Sequence, residues 1–138
     1  MQYLTGVHAL NLRCELDTCG DWHRSALAWK NLTIRDTENS IFGDYGLEFN
    51  KKIPNHEELF TVANHIRALL DLIAEHDFPN AQGMKEDFIC DDQYTVEIFN
   101  KIMILCDLPG YKEIDEFMQK EYRLEWINFK RGAAYEKH

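Results

Sequence analysis

Leu59-Phe60-Thr61-Val62-Ala63-Asn64-His65-Ile66-Arg67-Ala68-Leu69-Leu70-Asp71-Leu72-Ile73 carries the clearest apolar period in the chain. Leu59, Val62, Ala63, Ile66, Leu69, Leu70 and Ile73 recur at the spacing that lines one face of a helix. Just upstream, Asn55 follows Pro54 and stands three positions before Glu58, a capping-box arrangement with asparagine as the cap. The pattern predicts a helix from about 56 to 76.

Two more helices are expected towards the carboxyl end. One runs from about Tyr94 to Cys106, with Asp92 as cap, an Ile98, Phe99, Ile102, Met103, Cys106 stripe, and Pro109-Gly110 as its stop. On that stripe Cys106 reads as a small core residue. The other runs from about Lys112 to Phe129, where Ile114, Phe117, Met118, Tyr122, Trp126 and Phe129 share a side. Glu121 and Glu125 fall close to that stripe, where they either snorkel at its margin, the preferred reading, or mark a partner-facing seam.

The amino-terminal half reads as shorter pieces. Tyr3 to Leu12 suggests a helix capped by Thr5, and Trp22 to Trp29 another capped by Asp21. Leu32 to Asp36 and Gly46 to Asn50 suggest two short strands. The expected architecture is α+β: short amino-terminal helices and a small β hairpin or sheet, packed on a three-helix carboxyl half, in one domain spanning 1–138.

At 138 residues, 45% of them hydrophobic and 12% aromatic, the chain has enough apolar side chain to build a core. Charges break every apolar run well short of the roughly twenty residues that cross a bilayer. Met1-Gln2-Tyr3-Leu4-Thr5 shows neither the basic nor the apolar region of an export signal, which points to the cytoplasm. Thiols stay reduced there, so Cys14, Cys19, Cys90 and Cys106 are expected to be free.

Charge is the strongest compositional signal: 24 acids against 15 Lys and Arg give a net charge of −9. The excess is concentrated between Asp71 and Glu97, where eight acids stand against Lys85 alone. Such a field repels phosphate backbones and anionic lipid, which argues against direct nucleic-acid or membrane binding and favours a partner protein with a basic surface. Asp71, Glu75, Glu86, Asp87, Asp91 and Asp92 are the candidate partner-binding residues. A second use of the same field is a phage-type inhibitor whose carboxylates imitate the phosphates of nucleic acid. Ordinary solubility is the plainest account of it.

Chemistry, if present, has one natural home. Leu16-Asp17-Thr18-Cys19-Gly20-Asp21-Trp22-His23 gathers a thiol, an imidazole and two carboxylates around a glycine. With Cys14 it offers a zinc set of Cys14, Cys19 and His23, spaced C-x4-C-x3-H, with His8 or Cys90 as a fourth ligand. Zinc knuckles are usually tighter, and Arg13 and Arg24 add unwanted positive charge. A small enzyme is the other option: Cys19, ahead of a helix start, as nucleophile, with His8, His23 or His65 as base. The architectural reading is preferred, in which Asp17 or Asp21 caps, Gly20 supplies a positive φ and Trp22 anchors the core. His56, His65 and His76 read as surface or margin residues of the predicted 56–76 helix. No phosphate-cradling glycine loop and no GxSxG elbow occurs, which removes kinase, P-loop and α/β-hydrolase readings.

Taken together, His8-Ala9-Leu10-Asn11, Thr18-Cys19-Gly20-Asp21-Trp22-His23, Ser40-Ile41-Phe42-Gly43-Asp44-Tyr45-Gly46, Val62 to Asp71 and Ala81-Gln82-Gly83-Met84 resemble a family of small bacterial proteins. Members are encoded beside nucleotidyltransferase-type toxins of abortive-infection systems. The resemblance implies an antitoxin or accessory protein of a toxin–antitoxin or phage-defence module, with no catalytic residues to carry over.

Overall fold

A computed structural model describes residues 1–20 and 28–136. Its fold is α+β, with a mixed sheet of four strands among the described residues. In chain order these are β1 (Gln2–Leu4), β2 (Ile34–Asp36), β3 (Leu47–Lys52) and β4 (Leu59–Ala63). They lie in the spatial order β2-β1-β4-β3, with β1 and β4 parallel and the outer pairs antiparallel. The two strands expected from the sequence are therefore the two edges of the sheet and do not form a hairpin with each other. The expected Trp22 to Trp29 helix lies largely outside the described residues.

The first third of the predicted 56–76 helix is a strand. Phe60, Thr61 and Val62 are aromatic or β-branched, and β4 sits between β1 and β3, where neighbours take up its backbone groups on both edges. Consecutive Val62 and Ala63 are both buried, so both faces of the sheet are covered there and the period-two signal is lost. Asn55 has a positive φ of 63° and caps nothing. The real cap is Asn64, whose side chain accepts from Arg67 N at 2.9 Å and starts α2 (His65–Ala74). At the amino terminus Gln2–Leu4 is strand, and α1 spans only Gly6–Leu10. Thr5 stands at its cap position but spends its hydroxyl on Asp71, at 2.7 Å.

The carboxyl half contains α3 (Phe78–Ala81), a π-helical turn over Met84–Ile89, α4 (Thr95–Met103), α5 (Tyr111–Tyr122) and α6 (Leu124–Glu136). Asp91 rather than Asp92 caps the turn before α4, accepting from Gln93 N at 3.0 Å. Helix α4 ends at Met103, so Leu105 takes the core position and Cys106 is only half-buried. The helix predicted over 112–129 is broken at Arg123, with φ 53° and ψ −125°, yet its stripe stays buried through Trp126. Asp115 joins the two pieces, accepting from Trp126 Nε1 at 2.8 Å and Lys130 Nζ at 2.5 Å. No helix among the described residues is long and apolar enough to cross a membrane.

Helix α2 is enclosed on all sides, with Ala68, Leu69, Leu70 and Ile73 fully buried. Arg67 on the same helix is 0% exposed. Its guanidinium donates to Asp71 Oδ1 (3.1 Å), Tyr45 O (2.6 Å), Tyr3 Oη (2.9 Å) and Ser40 Oγ (3.0 Å). Asp71 Oδ2 in turn accepts from Tyr3 Oη (2.8 Å) and Thr5 Oγ1 (2.7 Å). Burial, then the Asp71 carboxylate, pushes the Tyr3 phenol up to about 12.

Arg67→Met should lower the unfolding free energy by about 3–5 kcal/mol, because it strands a buried carboxylate. Urea denaturation checks this, and Arg67→Met/Asp71→Leu should cost less than the sum of the single changes. A second expectation concerns acid. Burial raises the Asp115 carboxyl, but hydrogen bonds from Lys130, Trp126 and Gln119 outweigh it and hold it below its ordinary value. A depressed carboxylate stabilises the fold above its unfolded value and loses that contribution as pH falls through the folded one. Stability should therefore drop more steeply below about pH 4 in the parent than in Asp115→Asn, measured by urea unfolding along a pH series.

Candidate functional site

The acidic segment divides into two groups. Asp71 is buried in the Arg67 network, so its carboxylate is not free to meet a partner, whereas Glu75 is exposed and paired with Arg35 at 2.6 Å. That removes Asp71 from the expected binding set and leaves Glu75 as a paired surface carboxylate. Its position on α2 decides the burial of Asp71, which follows Arg67 by one helical turn, on a helix that is buried there. Glu86, Asp87, Asp91 and Asp92 are exposed. They lie on the π-helical turn and the short turn after it, where no regular helix draws them inward.

Further acids reach the same region from elsewhere in the chain. Burial raises the Tyr122 phenol, and Glu121, Glu125, Asp92 and Glu86 raise it further. All four therefore act on one hydroxyl. Lys85 bonds Glu125 at 2.5 Å and lies 4.0 Å from Glu86. Glu97 accepts from the Tyr45 hydroxyl, whose ring lies under Lys101 Nζ at 4.0 Å. Of the two residues read as stripe margin or partner-facing seam, Glu125 is exposed and tied to this region by Lys85, and Glu121 is half-buried beside Tyr122.

The loop after α1 forms the second site. His65, the first residue of α2, is 1% exposed and is not a surface residue. Its Nε2 lies 2.5 Å from Leu12 O and its Nδ1 2.5 Å from Thr18 Oγ1. Thr18 Oγ1 lies 3.6 Å from Cys14 Sγ. Burial raises the Cys14 thiol, but hydrogen bonding to His65 and Thr18 outweighs that and brings it down to about 7. Burial lowers the His65 imidazole, and contact with Cys14, Leu12 O and the Glu48 carboxylate reverses this to a net rise. Both shifts arise from the one Cys14–His65 interaction, which favours the charged form of each.

Gly20 makes this packing possible. Its φ is 67°, and a Cβ there would stand 2.5 Å from Leu10 O and 2.8 Å from His65 Cε1. Only glycine fits, for conformational and steric reasons together. Gly20 N also donates to Phe88 O at 2.9 Å, which braces the loop on the π-helical turn.

The expected free thiols need correction. Cys19 and Cys90 form a disulfide with Cα atoms 6.3 Å apart, leaving Cys14 and Cys106 free. A fold that brings residues 19 and 90 together was not visible from their spacing. With Cys19 bonded, Cys14, Cys19 and His23 cannot act together as zinc thiolate and imidazole ligands, and Cys19 is no nucleophile. His23, Asp21 and Trp22 lie outside the described residues. No group of three or more His, Cys, Asp or Glu suited to a metal is found among the described residues. The thiol that meets an imidazole is Cys14, and its partner is His65. His65, one of the three imidazoles expected as a base, opens α2, and this places its ring against the loop that carries Cys14. Comparisons with protein-family models, curated proteins and solved structures find no match to this chain.

The disulfide closes a loop of 71 residues, so reducing it should cost about 4 kcal/mol by loop entropy. Urea unfolding with and without reductant measures this. Alkylation of freshly extracted protein followed by mass analysis should find two blocked thiols, from Cys14 and Cys106, rather than four.

Proposed function

We propose that this chain is a non-enzymatic interaction protein that holds an acidic surface against a basic partner protein. The observation carrying this reading is that Lys85 lies 4.0 Å from Glu86 and 2.5 Å from Glu125, exposed acids from separate segments, with Asp92 exposed on the turn that follows. Asp87 and Asp91 extend the exposed acidic set along the same segment. Like-signed carboxylates on one surface repel one another, and a cationic partner relieves that repulsion while steering association.

The resemblance in the amino-acid sequence names the partner class, a nucleotidyltransferase-type toxin encoded alongside. Such an enzyme handles nucleoside triphosphates and RNA, so its working surface is cationic and an acidic protein seated on it competes with substrate. The role is that of an antitoxin or accessory protein in a defence module, acting in the cytoplasm. The Cys19–Cys90 bond is the feature that weighs against that compartment, because cytosolic thiols are usually kept reduced.

Co-purification with the neighbouring gene product at low salt tests the proposal. Replacing Glu86, Asp87, Asp91 and Asp92 together by Gln or Asn should slow association by about ten- to a hundredfold at low salt and flatten its salt dependence. The Glu75→Gln variant, which removes a carboxylate already paired with Arg35, should change association far less than the fourfold variant. Association that survives the fourfold neutralisation with its salt dependence intact would overturn the reading.

A further inference from the structure

Cys14, Thr18 and His65 form a buried chain of exchangeable protons that the interaction role leaves unused. In the neutral arrangement His65 Nε2–H donates to Leu12 O, Thr18 Oγ1–H donates to His65 Nδ1, and Cys14 S–H points to Thr18 Oγ1. In the charged arrangement both lower bonds reverse, with Nδ1–H donating to Thr18 and Thr18 donating to a thiolate. The Leu12 carbonyl fixes the ring in either state, as an orienting group does for a catalytic base.

Cys14 is 6% exposed and opens onto a recess of about 380 Å³ lined also by Arg13, Glu15, Asp17 and Lys51. Arg13 is paired with Asp17 at 3.3 Å, and Lys51 with Glu48 at 2.9 Å. Both cations facing the thiol are therefore already compensated, and Glu48 also acts on His65. Tyr94 lies within electrostatic reach of Cys14, and its hydroxyl donates to Leu16 O at 3.1 Å. Of the groups around the sulfur, His65 is the one placed to receive its proton. The near-complete burial excludes a bulky substrate and leaves room for a small one.

We propose that Cys14 is a reactive thiol, activated by His65 through Thr18, whose substrate is a small peroxide. The thiolate attacks one peroxide oxygen, an S–O bond forms and the O–O bond breaks. Sulfur loses two electrons and the peroxide gains them. The departing hydroxide takes the proton held on His65 and leaves as water, so Cys14 ends as a sulfenic acid and His65 as neutral imidazole. This centre is independent of the acidic surface and stands whether or not the partner reading does.

The experiment uses the full chain, hydrogen peroxide and a sulfenic-acid trap, with peptide mapping to separate Cys14 from Cys106. Cys14 should be trapped faster than Cys106 at pH 7, with a rate–pH profile inflecting near 7. Thr18→Val removes the relay hydroxyl at nearly constant volume, whereas Thr18→Ser keeps it. The valine variant should move the inflection to above about 8 and slow trapping at pH 7 by about fivefold, while the serine variant retains the parent profile. A purely structural Thr18 would not separate the two. Trapping of Cys14 no faster than Cys106 in the unmodified chain would overturn the proposal without any variant, as would matching Val and Ser profiles.

Discussion

Taking the Arg67 guanidinium out of water is the constraint around which the other elements are arranged. A buried arginine needs a carboxylate for its charge and acceptors for its fan of N–H groups. Asp71 lies one turn along the same helix, but the other acceptors come from elsewhere: Tyr3 on β1, and Ser40 and the Tyr45 carbonyl in the connection between β2 and β3. Tyr3 both accepts from Arg67 and donates to Asp71, and Thr5 completes the carboxylate. Moving β1 by one residue would swing Tyr3 to the opposite face and leave two buried charges short of partners. A hydrophobic pair of similar volume could match the network in net energy. What apolar side chains lack is this sensitivity to register, which ties the short β1 strand to its place beside β4.

How far such an arrangement can be read from the amino-acid sequence depends on how local its cause is. The α+β class and the carboxyl helices follow from periodicity within single segments, and the Ile114 to Trp126 stripe is buried as its spacing requires. The break at Arg123 had no Gly or Pro to announce it. Strand β4 imitates a helical period because its last two residues, Val62 and Ala63, are buried on opposite faces, and only pairing with β1 and β3 tells the two apart. Within His65 to Ala74 the pattern is that of an amphipathic helix with Arg67 and Asp71 on its polar side, and what buries that side is Tyr3 and the connection between β2 and β3, both distant in the chain.

The candidate sites divide along the same line. Glu86, Asp87, Asp91 and Asp92 are exposed because they sit on irregular turns, a property of their own neighbourhood. The joining of Glu121 and Glu125 to them depends on how the carboxyl helices pack, which no spacing records. Cys14 and His65 are further apart still, on a loop and a helix start. The sequence placed a thiol and an imidazole in the right region but chose Cys19, because Cys19 precedes a glycine.

That glycine connects the two halves of the molecule. Any side chain on Gly20 would strike the His65 ring and the Leu10 carbonyl, so its absence lets the loop lie flat against the start of α2. On the far side the same residue bonds Phe88, one position after Asp87, and the neighbouring Cys19 is joined to Cys90, one position before Asp91. The loop bearing Cys14 and Thr18 and the turn bearing the exposed acids are thus anchored to each other within a few residues. Neither can shift far while those bonds hold, so the thiol centre and the acidic surface share one mechanical support despite their different chemistry. A change at Gly20 would therefore disturb both, whereas a change at Thr18 reaches the thiol alone.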